Sequence, residues 1–413
     1  MSKHYQEGKY HVGSLNYDPE LQDSFNFPPD KRIRIIDSTM RKLEYTPGLR
    51  LSVQDKVDIA LKSEELGVDE IYINNIHYLP EIFESTKAIA EQRSKLILNT
   101  QTSLAEEGWQ EGVKKSVEVK ADKVEVETKA SDIELCRFGL TRDGMIKRMC
   151  EALDFGKDLG ADMTTGFTDS TRSDFSFLME IINKALEHGA SKLIMYDTFG
   201  NLGPDAMRLL IRRIREHWIR EVPIAVHVHN MFGLGTAGAL AAVTGGATHV
   251  DVAVNGFPTN DPLAFLEETV LALELILGLS TGVHLEKIYD YCRFVEEKSG
   301  IRIAPFKAVV GDHIFLSETD AHITAHFRSA RIENLTPFAP ELVGQKAKVV
   351  WGINSLRGNS IRALLESKGL EYSEDQISEI LQIISGRLDQ KTGYPVWLTQ
   401  PEVEEICLRV LNK

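Results

Sequence analysis

The chain has 413 residues, room for two or three domains of ~100–200 residues or for one α/β barrel of about 250 with something added. Apolar residues make up 43% and charged residues 26%, which excludes disordered, collagen-like and disulfide-stapled classes. Lys+Arg 47 against Asp+Glu 61 leaves a net charge of −14, so a nucleic-acid or anionic-membrane role lacks its basic field, and no apolar run approaches the ~20 residues of a membrane span.

Residues 1–30 are polar, aromatic and charged throughout, without the apolar core of a signal peptide, and read as an N-terminal extension. Cys136, Cys150, Cys292 and Cys407 are scattered with no C-x-x-C pairing, which suggests neither a zinc site nor a disulfide framework and makes a reducing cytoplasm the simplest home. From Ile33 onward, short β-branched runs alternate with amphipathic stretches at a pitch of ~25–40 residues, the spacing of strand–helix units. Eight strands are expected, at 33–39, 70–75, 95–100, 123–128, 162–167, 192–197, 224–230 and 249–256. Helical patterns lie between them at 54–66, 175–187, 204–217 and 236–245, several followed by a helix-stopping glycine.

Eight such units close most readily into a (β/α)8 TIM barrel, of the α/β class, over residues 31–285. The strand ends, where that fold carries its chemistry, read Asp37-Ser38-Thr39, Asn74-Asn75, Thr100, Glu127-Thr128, Thr165, Asp197-Thr198, His227-Val228-His229-Asn230 and Asn255-Gly256. Such a polar set also suits strand and helix caps. Residues 286–413 form a mainly helical C-terminal accessory region of one or two subdomains, with helices near 285–298, 359–368, 374–391 and 400–411 and an irregular stretch at 300–326.

His227 and His229 stand at i and i+2 on a strand and so share a face. Two neutral imidazoles at a strand end suit a divalent metal with open positions, and equally a pair of hydrogen-bonded core histidines. Glu125 and Glu127 likewise share a face, interior or exterior, and the lysines of residues 120–129 read as solvated.

Asp37-Ser38-Thr39-Met40-Arg41, Thr46-Pro47-Gly48, His227–Asn230 and the segment from Asn255 to Glu268 together resemble the pyruvate-carboxyltransferase-like, or DRE-TIM metallolyase, superfamily. Its members include isopropylmalate, homocitrate and citramalate synthases. Ser131–Leu135, Arg172-Ser173-Asp174, Asp197–Gly200 and Gly233-Leu234-Gly235 fit the same template in order, and the tail, with Pro305–Gly311, Ser317–His322 and Pro337–Gly344, resembles the synthases rather than a lyase ending at its barrel. The resemblance implies an acyl-CoA-dependent transferase that joins an acyl group to a 2-oxo acid, with acyl-CoA as co-substrate and a homodimer as the assembly. It further implies that Arg41 stabilises the keto or enolate oxygen, that Thr198 contacts the substrate carboxylate and that His322 takes part in proton transfer. Asn230, Glu127 and Thr100 join Thr198 as expected substrate-binding residues.

The sequence departs from that template where the metal would sit. The second Asp of the D-x-T-L-R-D-G signature is Lys42, the usual Asn ligand aligns with Leu263, Met231 replaces the Asp of H-x-H-N-D, and the superfamily's glutamate aligns with Thr168. Only His227 and His229 remain of the usual ligands, two nitrogens for a cation such as Mg²⁺ that prefers oxygen. Four readings follow. Lys42 supplies the positive charge in place of the metal; it forms a Schiff base in a lyase or aldolase; it is a solvated lysine in a non-catalytic, regulatory relative; or a divalent metal still binds the histidines with a carboxylate such as Asp37 or Glu127.

Overall fold

The computed structural model describes residues 3–328 and 336–412. They form two compact units, Leu15–Ile303 and Met1–Ser14 with Ala304–Lys413. The division thus falls at Ser14 and Ile303 rather than at residues 30 and 285. Residues 15–30 join the first unit, where the Tyr17 hydroxyl donates to the Leu275 carbonyl at 2.7 Å, as does the helix Ile288–Ser299, whose Tyr291 bonds Asp37.

The first unit is a closed barrel of eight strands. In chain order these are β1 (Arg34–Asp37), β2 (Glu70–Ile73), β3 (Ile97–Ser103), β4 (Lys123–Lys129), β5 (Met163–Thr168), β6 (Leu193–Asp197), β7 (Ile224–Val228) and β8 (His249–Val252). Every neighbouring pair is parallel, and β8 closes on β1 with Val250 opposite Ile35. Inward residues meet in layers, as in other barrels of this kind: Ile36, Tyr72, Ile194, Tyr196 and Ala225 make the apolar one. Below it, Lys192 Nζ lies 2.6 Å from both Glu70 oxygens and Asn99 donates to the same carboxylate at 2.7 Å.

The helices between strands form where the sequence supplies a stop and a start. Val53–Leu66 opens on a capping box of Ser52 and Asp55 and ends at Gly67, whose φ of 93° and 2.8 Å approach of a Cβ to the Gly282 carbonyl both require glycine. The helices Phe175–Glu187 and Pro204–His217 occupy the expected residues. Strand β8 is shorter than expected, because Asn255 turns to positive φ and the chain passes into a short 3-10 helix over Val254–Gly256.

The second unit holds a three-stranded sheet of Leu316–Ser317, Lys348–Trp351 and Leu398–Thr399 with helices Asp320–Arg328, Asn359–Ser367, Glu374–Leu388 and Gln400–Leu411. Its core gathers around Trp351, Leu364, Ile380, Ile384 and Ile406. The stretch 300–326 is therefore not wholly irregular, since Asp320 begins a helix; the Asp320 side chain also bonds the Ser360 amide at 3.0 Å. The hairpin Tyr5–Gln6 and Tyr10–His11 completes this unit, Tyr10 bridging Phe338 and the Ala339 amide donating to the Lys9 carbonyl at 2.7 Å. Among the described residues, no helix is long and apolar enough to cross a membrane.

Candidate active site at the barrel mouth

The C-terminal ends of the strands enclose a pocket of about 250 Å³, lined by Arg41, Lys42, Glu127, Thr198, His227 and His229 among others. Arg41 and Lys42 lie on the short helix Thr39–Glu44 that follows β1, and both are buried. A solvated Lys42 is thereby excluded. The Arg41 guanidinium lies over the Tyr72 ring at 4.8 Å, and its Nε and Nη1 are buried without a hydrogen-bond partner.

Strand alternation carries His227 and His229 inward together. Lys42 Nζ stands 3.1 Å from His229 Nε2, which stands 3.1 Å from His227 Nε2. His227 Nδ1 lies 2.6 Å from Asp251 Oδ2 on β8, directly across the strand pair. His229 Nδ1 lies 2.6 Å from Asp261 Oδ1, a close approach without hydrogen-bond alignment. Burial, then the Arg41 charge, brings Lys42 down to about 7, while burial raises Asp251 to about 7 against the opposing pull of Arg41. Burial and the Lys42 charge lower His229 to about 4 and push His227 well below the usual imidazole range. Both rings are thus neutral at pH 7.

Glu125 and Glu127 both point inward. Burial lifts Glu125 to about 8 although Arg41 and the Tyr196 hydroxyl, 2.8 Å from its Oε1, favour its charge. Glu127 behaves oppositely: burial would raise it, but the Lys129 ammonium at 2.6 Å and the Thr168 hydroxyl at 2.6 Å bring it down to about 2. Lys129 is buried in that pair, not solvated as its charge-rich surroundings suggest. Gly166 opposite leaves room for this arrangement, since a Cβ there would lie 2.2 Å from Glu125 Oε1.

The structure therefore brings together Arg41, Lys42, Glu127, Thr198, His227 and His229. Thr198 is half-buried and accepts from the Asp169 amide at 2.8 Å. Thr100 and Asn230 are turned to other tasks. Thr100 sits between the inward residues Asn99 and Gln101 and faces the surrounding helices, paired in register with Ile73 and Val124. Asn230 lies five residues before the first residue of the helix Gly235–Gly245, its side chain accepting from the Gly235 amide at 2.6 Å. His322 belongs to the second unit, exposed on the helix Asp320–Arg328. Asp251 and Asp261 escaped the sequence reading; the signal for Asp251 was its inward alternation with His249 on β8.

The donor set does not fit a hard divalent cation. Among the described residues no three His, Cys, Asp or Glu side chains are placed to hold one ion. Asp37 faces outward and is taken by the Ser63 hydroxyl at 2.7 Å and the Tyr291 hydroxyl at 2.6 Å, and Glu127 is held by Lys129. Leu263, fully buried, bridges the His229 backbone and offers only an apolar side chain.

Comparison with known proteins gives a consistent picture. The HMGL-like family model matches residues 32–295. A putative (R)-citramalate synthase of Methanopyrus kandleri is 32% identical over 387 residues, 94% of this chain and 74% of that protein. A 2-isopropylmalate synthase of Sulfolobus acidocaldarius is 31% identical over 93% of this chain and 97% of its own. Among solved structures, hydroxymethylglutaryl-CoA lyase of Pseudomonas aeruginosa superposes with a TM-score of 0.58 at 19% identity, over 67% of this chain and 95% of that one, a likeness of fold.

Proposed function

This chain belongs to the HMGL-like family, and we propose that it is an acyl-CoA-dependent transferase that joins an acyl group to a 2-oxo acid. The observation that carries this reading is the pair of basic side chains, Arg41 and Lys42, buried side by side at the pocket with neutral histidines behind them. Such a site is built for a small anion that gains further negative charge during reaction. In the condensation, a base removes a proton from the acyl-CoA methyl group and the freed electron pair forms the new bond to C2 of the 2-oxo acid. The carbonyl π pair moves onto oxygen, which takes a proton and ends as a hydroxyl. Water then cleaves the thioester to a carboxylate and free CoA.

In this reading Arg41 stabilises the oxyanion through its unpartnered Nε and Nη1, Thr198 contacts the substrate carboxylate, Glu127 borders the site, and His322 serves proton transfer. A homodimer in the cytoplasm is the proposed setting, and four cysteines without a disulfide among them suit a reducing compartment. The test is release of CoA thiol from acetyl-CoA across a panel of 2-oxo acids of increasing side-chain size. Turnover with one of them, lost in Arg41→Lys, is expected; absence of turnover with all of them returns the chain to a binding or regulatory role. A second reading, a lyase or aldolase working through a Schiff base, draws on the lowering of Lys42 to about 7.

A further inference from the structure

We propose that the Lys42 ammonium does the work of a divalent cation in this barrel, holding the 2-oxo acid's carboxylate and keto oxygens by charge and hydrogen bonds. This deepens the condensation reading and rests on it. Three observations on the pocket and the residues around it carry the proposal.

The histidine pair keeps the spacing of metal ligands. Two ring nitrogens bound cis to one ion at about 2.1 Å stand ~3 Å apart, and the two Nε2 atoms here are 3.1 Å apart. What faces them is a cation rather than a site for one: Lys42 Nζ is 3.1 Å from His229 Nε2. An ion on that nitrogen would lie within ~5 Å of the ammonium, inside a buried pocket where like charges repel strongly.

The remaining shell has also changed. Leu263, whose backbone bridges His229, has no donor atom in its side chain, and Glu127 is neutralised by Lys129. The imidazoles are reassigned, with His229 Nε2 accepting from Lys42 and thereby holding the ammonium in place. An ammonium offers three N–H donors on a compact charge, which matches the paired oxygens of a 2-oxo acid.

Condensation chemistry argues that Lys42 acts without forming a covalent bond. An iminium formed from Lys42 and the 2-oxo acid would, on attack by an acyl-CoA carbanion, become a secondary amine whose C–N single bond water does not cleave. The product would stay attached to the enzyme. A lysine that serves as a charge leaves the carbonyl oxygen on the substrate, where it becomes the product hydroxyl.

The experiment compares wild type with Lys42→Met and Lys42→Asp, each confirmed folded by circular dichroism and thermal melting. Metal content is measured after purification without chelator, Mn²⁺ binding is titrated directly, and pyruvate and 2-oxoisovalerate are titrated as probes with and without EDTA. Wild type is expected to carry no stoichiometric metal and to bind a probe equally with and without EDTA. Lys42→Met should weaken probe binding at least tenfold. Lys42→Asp should gain Mn²⁺ binding at least tenfold over wild type. Stoichiometric metal in wild type, Mn²⁺ binding as tight as in Lys42→Asp, or a borohydride-trapped probe adduct on Lys42 would each overturn the proposal. EDTA-sensitive turnover would sink it while leaving condensation standing, whereas EDTA-insensitive probe binding without CoA release would sink condensation alone.

Discussion

Asp251 and His227 face one another across β8 and β7, 2.6 Å apart and each 1% exposed, so the carboxyl fixes the tilt of the ring that backs the pocket. Asp251→Asn keeps the volume and offers an amide donor or acceptor in its place. kcat/KM is expected to fall by about tenfold or more, as for other partners that orient a functional imidazole, with the far-ultraviolet dichroism unchanged. A pH–rate profile of wild type and variant locates the effect, since a limb that depends on Asp251 shifts in the variant.

Burying Lys42 costs stability, and the pH dependence gives its sign. In the unfolded chain it stays charged up to about 10.5, whereas the folded protein lowers it to about 7, chiefly by burial and then by Arg41. Between those values the unfolded state binds more protons, so this group's contribution to stability rises with pH from about 7 toward 10.5; below 7 its burial cost is constant. Lys42→Met should therefore raise the melting temperature at pH 6 to 7, with the gain shrinking toward pH 10. Melts at pH 6, 8 and 10 read this directly, and a lower melting temperature at pH 6 would contradict it.

The ion pair of Glu70 and Lys192, each 3% exposed, is a structural element of the barrel floor. Removing one partner leaves an uncompensated buried charge, so Glu70→Ala should destabilise the protein by about 3–5 kcal/mol. The double variant Glu70→Gln, Lys192→Met should recover most of that loss, because a neutral pair of similar volume is tolerated. Chemical denaturation of the three proteins settles the ordering.

Glu127 gives an acid-side signature. Its folded value near 2 lies below the usual 4.5, so its contribution to stability is present above pH 4.5 and is lost as pH falls toward 2. Glu127→Gln should be less stable than wild type at pH 7, and the difference should close on acidification through that window.

Two expected substrate contacts give a contrast. Asn230→Ala removes the acceptor for the Gly235 amide and should cost about 1 kcal/mol, while Thr100→Val, on the outer face of β3, should leave probe affinity within twofold of wild type. Calorimetry on the two variants separates these roles from direct binding.

The barrel was legible because each strand is a short β-branched run and each helix carries its own start and stop, as Ser52 and Gly67 do. The site was legible in part: Arg41, Lys42, His227 and His229 are set by helix and strand positions that local pattern and family resemblance identify. Thr100 misled because a polar residue near a strand end says nothing of its face unless the register is known, and Asn99 and Gln101 take the interior. Lys129 misled because its partner Glu127 is two residues away on the same strand face, while the surrounding charges imitate a solvated segment. Asp251 and Asp261 come to the histidines from other strands and loops, a proximity created by barrel closure.

The bridge from Tyr10 to Phe338 sets an order on the chain's birth. The two hairpin strands leave the ribosome before the barrel, yet the segment they join is made ~330 residues later, after tens of seconds at about 5–20 residues per second. A lone two-stranded hairpin is marginal in water, so through that interval those strands wait without their partner while the complete barrel sequence emerges between them. The barrel is thus free to fold as a self-contained insertion. Shortening the first dozen residues would then be felt in the unit built on Trp351.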